Sequence, residues 1–353
     1  GTGLTKILEQ DGRGFIDISA DGSFIIFSKN FGYEIKVFSS VGGAGTSIAN
    51  NLPLPTGGTT GPDIRLNPVI VDSAGESGQE TRIFFTAVAG GADVAGVWSV
   101  GNDGTDLKQH FSYRQMSQQL FGLDGNEYNA NVAFEQGFDV SENGRRIVVG
   151  TWNFQADGHT ILWDEDTGLQ ILRDYGPARS SLPVGLTISP DGNVIALTKP
   201  IPGSIGAKIE SINYNSNLSI DLTENIGTTP NLQMTAGGTS LMGKGDSSPL
   251  TLFKTDGSER LDLVNSPSLA GTGDPFYRNS IGPTISISAD GNRFAFVSAL
   301  NYNDYTRLWV ADIFTGSAGS SPSISDITLT PNYVVVGAGG FASVSAAISG
   351  GGS

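Results

Sequence analysis

One short phrase recurs along this chain, and it narrows the fold more than any other feature. An apolar β run is followed by Ser-x-Asp/Asn-Gly, or a degenerate form of it, and then by a second β run. Residues 16–27 read IDISADGSFIIF, 138–149 FDVSENGRRIVV, 186–197 LTISPDGNVIAL and 285–297 ISISADGNRFAFV; 232–242, LQMTAGGTSLM, is a weaker copy. Asp-Gly, Asn-Gly and Gly-Gly between alternating apolar residues are strong local hairpin signals, because glycine takes the positive φ of a tight turn at little steric cost. Each phrase therefore predicts two antiparallel strands.

A third β run follows each hairpin after a variable loop, at 34–38, 160–163, 208–212, 250–253 and 307–311. A turn and a more polar fourth run come next, as at 169–172 and 259–263. One further unit has an elongated first hairpin: 69–71, a polar loop over 72–80, then 82–86, with later runs at 96–100 and 107–110. Six units of four strands result, spaced roughly 45–70 residues apart. A twisted four-stranded sheet buries both faces only when neighbours stack beside it, and radial repetition achieves this while leaving short edges. The last unit has three runs and then enters Ser/Gly/Pro-rich chain at 315–322, whereas the first residues, 1–10, read as an orphan fourth strand. The predicted fold is all-β: a six-bladed β-propeller over 1–316, closed by the N-terminal strand, with a short β-rich tail over 317–353.

Composition agrees and sets limits. With 49 glycines and 16 prolines among 353 residues, yet abundant Leu, Ile, Val and Phe, the chain suits many tight turns around a real core. The formal net charge of −15 disfavours nucleic acid and anionic membranes as partners. The chain has no cysteine, which excludes disulfides, thiolate metal sites and cysteine nucleophiles. No apolar run approaches the ~20 residues needed to span a bilayer, so membrane insertion is not expected. Gly1 is not a natural start residue, and the chain reads as processed or excised from something longer.

Residues 288–296 (SADGNRFAF) followed by 308–312 (LWVAD) resemble the TolB-type propeller repeat, and 98–105 (WSVGNDGT) resembles the end of the same repeat. The resemblance covers 1–316 and implies a six-bladed propeller. Its family includes periplasmic partner-binding proteins, peptidase regulatory domains and extracellular modules, so it implies architecture rather than one activity. Residues 322–348 resemble the opening strands of bacterial immunoglobulin-like modules, of which a full example takes ~100 residues.

Candidate chemistry is sparse. The Asp-Gly aspartates read as turn initiators, and no run has the spacing of a helix-loop-helix calcium loop. Asp124-Gly125-Asn126-Glu127 is the best short oxygen cluster, but no metal and no cofactor is expected. His110 follows a fourth strand and is expected on the outside of the ring; His159 is expected in a loop with Asp157. No Gly-x-Ser-x-Gly elbow occurs. Glu135 and Asp139 could serve as acid and base, although their spacing gives no reason to pair them. An enzyme, a propeller hydrolase or lyase, is the least favoured reading.

The loops carry more. Second-to-third-strand loops and unit-to-unit connections share one face of a propeller, and here they combine aromatics with amides. The candidate ligand-binding residues are Phe31, Tyr33, Tyr113, Tyr128, Trp152, Asn153, Tyr277, Arg278, Tyr302, Asp304 and Tyr305. Flat rings with polar tips beside amide and carboxylate groups suit sugar rings or a protein surface. The expected function is a secreted or cell-surface binding or adhesion module, a periplasmic one included, that takes protein or glycan on that face. The alternative is a structural subunit of a surface layer or filament, self-associating through the C-terminal strands.

Overall fold

The computed structural model describes residues 14–19, 21–29, 34–40, 44–64, 66, 68–74, 80–126, 137–152, 158–176, 185–201, 206–223, 231–235, 237–244, 251–262, 285–287, 293–298 and 307–312. The chain divides into two compact units, Thr2–Gly192 and Asn193–Ser353.

The first unit opens with β1 (Gly14–Ile18), β2 (Phe24–Lys29), β3 (Ile35–Ser39) and β4 (Thr46–Ile48), a four-stranded antiparallel meander. A two-stranded hairpin, β5 (Leu52–Pro53) with β6 (Thr59–Thr60), leads to the second sheet. That sheet is β7 (Val69–Ala74), β8 (Glu80–Ala87), β9 (Gly96–Gly101) and β10 (Lys108–Ser112). After one helical turn, α1 (Tyr113–Met116), continued by a π-type turn over Ser117–Phe121, comes the third sheet. Its strands are β11 (Phe138–Val140), β12 (Arg146–Trp152), β13 (Gly158–Asp164) and β14 (Gly168–Asp174). β15 (Leu186–Ile188) closes the unit.

In the second unit β16 (Val194–Pro200), β17 (Ala207–Asn213) and β18 (Leu218–Asp221) form an antiparallel meander. β19 (Asn231–Met234), β20 (Ser240–Lys244), β21 (Thr251–Lys254) and β22 (Arg260–Asp262) form the fifth sheet. β23 (Ile285–Ile287), β24 (Arg293–Ser298) and β25 (Arg307–Asp312) form a three-stranded sixth. The three-strand count of the last sheet, among the described residues, matches the sequence reading. The closing strand at 1–10 and the tail over 317–353 lie outside the described residues.

The repeated phrase folds as its chemistry dictates. Within each turn the glycine N–H donates to the carbonyl of the residue three before it: Gly22 to Ser19 at 2.9 Å, Gly144 to Ser141 and Gly192 to Ser189 at 2.8 Å, Gly238 to Thr235 at 2.9 Å. The serine hydroxyl donates to the Asp or Asn two residues on, as from Ser19 to Asp21 at 2.7 Å and from Ser141 to Asn143 at 2.8 Å. The same oxygen accepts the N–H that opens the next strand, from Phe24 at 2.9 Å and Arg146 at 3.0 Å. Only the glycine has positive φ in these turns, +72° at Gly22 and +69° at Gly144. The turns are therefore right-handed bends closed by a left-handed glycine, not two-residue hairpins with both centres left-handed.

Sheets stack face to face within each unit. β8 is apolar on both sides: Ile83 and Phe85 join Ile26, Ile35 and Val37 of the first sheet, while Phe84 joins Phe138, Ile147 and Val149 of the third. Each such side chain, fully taken from water, contributes about 1.5–3 kcal/mol. The second unit repeats the device, with Ala196 and Ile209 packed with Leu232, Leu241 and Phe253.

Three sequence expectations need correction. The polar loop over 72–80 is shorter than read: Asp72–Ala74 and Glu80 are strand, paired around a bulge between Val71 and Ala74. His159 is in β13, opposite Asp174 and Thr151, not in a loop. His110 is within the fourth strand, β10, and only half-buried, set between the rings of Phe84 and Trp163.

Candidate functional site

Antiparallel alternation fixes where loops emerge. In each meander the first-to-second and third-to-fourth turns lie at one end, and the second-to-third loop shares the other end with the connection to the next sheet. β2 ends at Lys29 and β3 begins at Ile35; β12 ends at Trp152 and β13 begins at Gly158; β24 ends at Ser298 and β25 begins at Arg307. In sequence, the aromatic-and-amide segments 30–34, 153–157 and 299–306 fall between second and third strands; 30–33, 153–157 and 299–306 lie outside the described residues. Trp152 is the last residue of β12. Phe31, Tyr33, Tyr128, Asn153, Tyr277, Arg278, Tyr302, Asp304 and Tyr305 lie outside the described residues, as does Glu135.

Tyr113 is the exception, and it is not at a surface. Ser112 caps α1: its hydroxyl accepts the Gln115 N–H at 3.1 Å, and Gln115 Oε1 accepts the Ser112 N–H at 2.8 Å. This capping box makes Tyr113 the first helical residue and turns it into the core with Phe111 and Met116, 2% exposed.

A second group of polar residues lies along the first strands. In the first unit β1 lies beside β7, β7 beside β11, and β11 beside β15. Two carboxylates bridge these neighbours. Asp17 Oδ2 accepts the Ile70 N–H of β7 at 3.0 Å, and its Oδ1 accepts the Ile18 N–H at 2.9 Å. Asp139 Oδ2 accepts the Ile188 N–H of β15 at 2.9 Å and the Thr187 hydroxyl at 2.8 Å, and its Oδ1 accepts the Val140 N–H at 2.9 Å. Between first strands too far apart for a continuous ladder, the side chain supplies the acceptor the backbone lacks. Burial, with smaller contributions from the charges of Asp139 and Asp72, raises the Asp17 carboxyl to about 6 against those two N–H bonds. Burial also raises Asp139, against its three donors. Asp139, the carboxylate the sequence offered for acid–base work, is thus engaged by backbone and hydroxyl donors.

The other buried polar cluster holds the second sheet. Ser99 Oγ accepts from Arg82 Nε at 3.3 Å and Nη2 at 3.1 Å, and lies 2.9 Å from His110 Nε2. The direction of the Ser99–His110 bond follows the ring's tautomer, and Nδ1 is buried without a hydrogen-bond partner. Arg82 also pairs with Asp106 and Glu80. His110 stacks on Phe84 and meets Trp163 edge-on, with centroids 5.2 and 4.8 Å away. Burial, then the Lys108 and Arg82 charges, lowers the imidazole to about 3. A fully buried serine whose oxygen is filled by arginine joins the strands of this sheet.

The Asp124 cluster is likewise spent locally. Its carboxylate accepts the Asn126 N–H at 2.9 Å and side-chain amide at 2.6 Å, while Arg114 binds its carbonyl and pairs with Asp93. Among the described residues no group of three or more His, Asp or Glu side chains is placed to hold a metal ion, and no helix is long and apolar enough to cross a membrane.

No family model matches the chain, and no curated protein matches it. Solved structures are similar to it. TolB from Acinetobacter baumannii shares 14% identity, over 91% of this chain and 69% of that one, with a TM-score of 0.44. A chain of the nidogen/laminin complex shares 12%, over 86% and 92%, at 0.45. Hydrazine synthase from Kuenenia stuttgartiensis shares 14%, over 88% and 79%, at 0.49. The meander sheets are β-propeller blades.

The blade-to-blade carboxylates escaped sequence reasoning, yet they left a signal. In both copies an aspartate interrupts an apolar run two residues before the turn serine, Ile16-Asp17-Ile18-Ser19 and Phe138-Asp139-Val140-Ser141. A charge at a period-two buried position demands a donor from elsewhere.

Proposed function

We propose that the chain is a secreted or cell-surface binding module that takes a glycan or protein ligand on the loops at the second-to-third-strand end of its blades. One observation carries this reading: paired strands bracket the segments rich in Tyr, Trp, Phe and Asn, so each springs from a rigid sheet end. Loops on rigid scaffolds are where recognition concentrates. Among the described residues, the ionisable groups Asp17, Asp139, His110 and Arg82 bind strands to one another, which favours recognition over acid–base chemistry.

A glycan array and a surface-protein pull-down with the full chain test it. Trp152→Ala and Asn153→Ala are expected to weaken the captured ligand at least tenfold, without lowering the urea midpoint by more than the loss of one side chain explains. Unchanged affinity in both variants removes the loop end from consideration. The alternative of assembly through the tail at 317–353 lies outside the described residues. Light scattering of the chain with and without that tail separates it: concentration-dependent growth that stops on truncation favours assembly.

A further inference from the structure

Asn143-Gly144 is the one Asn-Gly pair in the sequence, and it stands where the sister phrases carry Asp21-Gly22, Asp191-Gly192 and Asp290-Gly291. Asparagine before glycine is chemically labile in water for a steric reason. Glycine has no β-carbon to shield its nitrogen, which can therefore reach the asparagine side-chain carbon. Asn143 is exposed, but the closed turn withholds both reacting groups. The Gly144 N–H, which must give up its proton before the nitrogen attacks, donates to the Ser141 carbonyl at 2.8 Å. Asn143 Oδ1 accepts the Ser141 hydroxyl at 2.8 Å and the Arg145 N–H at 3.0 Å, which pins the carboxamide to the turn. Neighbouring blades hold the turn in place: the Glu142 N–H donates to the Pro190 carbonyl at 2.8 Å, and Gly144 sits against Phe84.

We propose that Asn143 is a modification site, which deamidates itself when the turn of the third blade opens and becomes the aspartate that the sister turns carry. In the open turn the Gly144 nitrogen, its proton lost to solvent, attacks Cγ of Asn143. The Cγ–Nδ2 bond breaks, and Nδ2 takes up a proton and leaves as ammonia. Water then opens the five-membered imide. Cleavage between Cγ and the Gly144 nitrogen gives aspartate; cleavage between that nitrogen and the main-chain carbonyl carbon gives isoaspartate, whose backbone runs through the β-carbon. One water is consumed and one ammonia released, with nothing oxidised or reduced.

The fold receives the two products differently. Aspartate finds its donors waiting: in the first blade Asp21 Oδ1 accepts the Ser19 hydroxyl at 2.7 Å and the Ser23 N–H at 2.8 Å, and Asp191 Oδ1 accepts the Ser189 hydroxyl at 2.6 Å. A carboxylate holds such donors more strongly than an amide oxygen does. Isoaspartate adds one atom to the main chain between the Ser141 carbonyl and the Gly144 N–H. That insertion breaks the bond that closes the turn and lifts Gly144 from Phe84.

The full chain, incubated at pH 8.5 in buffer and in concentrated urea, tests this, with tandem mass spectrometry locating the asparagine-to-aspartate mass gain. In urea Asn143 should convert faster than Asn215, Asn265 and Asn279, each of which precedes serine. In buffer the folded chain should convert on the order of tenfold more slowly or less, because the reaction waits for the turn to open. Equal rates at Asn143 in the two conditions, or an Asn143 no faster in urea than the Asn-Ser sites, overturn the proposal. Ser141→Ala removes one donor from Oδ1 and should speed conversion in buffer while leaving the rate in urea unchanged; an unaltered rate in buffer counts against the gate. Should that variant fail to fold, Asn143→Asp supplies the product directly. Its urea midpoint should equal or exceed that of wild type, and a lower one shows that the turn does not accept aspartate and sinks the assignment.

Discussion

Burial moves Asp17 and His110 in opposite directions, the carboxyl up and the imidazole down. The imidazole, lowered to about 3 from 6.5 by burial and by the Lys108 and Arg82 charges, stays neutral in the fold while the unfolded ring charges. Below 6.5 the unfolded state then binds more protons, so stability is lost as pH falls from 6.5 toward 3, by up to about 1.4 kcal/mol per unit. Replacing His110 by Phe keeps a ring against Phe84 and Trp163 and removes the titration. The variant should lose less stability than wild type between pH 7.5 and 5.0, a difference of about 2 kcal/mol in urea unfolding. Equal losses would show that the ring is already charged in the fold. The partners of neither residue could be named from its neighbours in sequence. Asp17 meets an amide 53 positions away and Asp139 one 49 positions away, and the rings around His110 come from two blades.

The turn is the element whose making is most local, and it shows what substitution costs. Gly22 and Gly144 share a left-handed φ, but a β-carbon at Gly22 meets nothing within 4 Å, whereas one at Gly144 would lie 2.8 Å from Cζ of Phe84 in the preceding blade. Gly22→Ala should cost about 1–2 kcal/mol, from backbone strain alone. Gly144→Ala should cost more by about 1–3 kcal/mol for displacing a packed aromatic. Paired urea melts measure the difference, and equal costs would mean that the Phe84 contact is soft. This locality explains what could be read in advance. Ser-x-Asp/Asn-Gly sets its own hydrogen bonds within six residues, so five hairpins and their third strands stood out. The helical turn at Tyr113 was legible too, since Ser112 and Gln115 spell a capping box, but the aromatic beside them drew the reading toward a loop. The short β5–β6 hairpin turns on Gly57-Gly58, both left-handed, but with only two pairings and no alternating apolar runs around it the glycine pair did not stand out.

Across the first unit, stability passes from sheet to sheet through side chains that point alternately forward and back along β8. Phe84 lies in the core shared with the third sheet, and its truncation to Ala should remove about 3–5 kcal/mol. Hydrogen exchange should then show lost protection in β12 and β13 as well as in β8, as stacked repeats that borrow one another's cores require. Loss confined to β8 and β9 would mean that each blade stands alone. The amide ladder of a blade is its own, but its seat is not: the turn of the third sheet rests its glycine on an aromatic that belongs to the second. A length of this chain excised between two blades would therefore carry a foot without its floor. Recombination that shuffles such modules works only where the receiving sheet already offers a ring at the place of Phe84, and a donor cut in mid-blade, taking the second half of one sheet with the first half of the next, would transplant the fit intact.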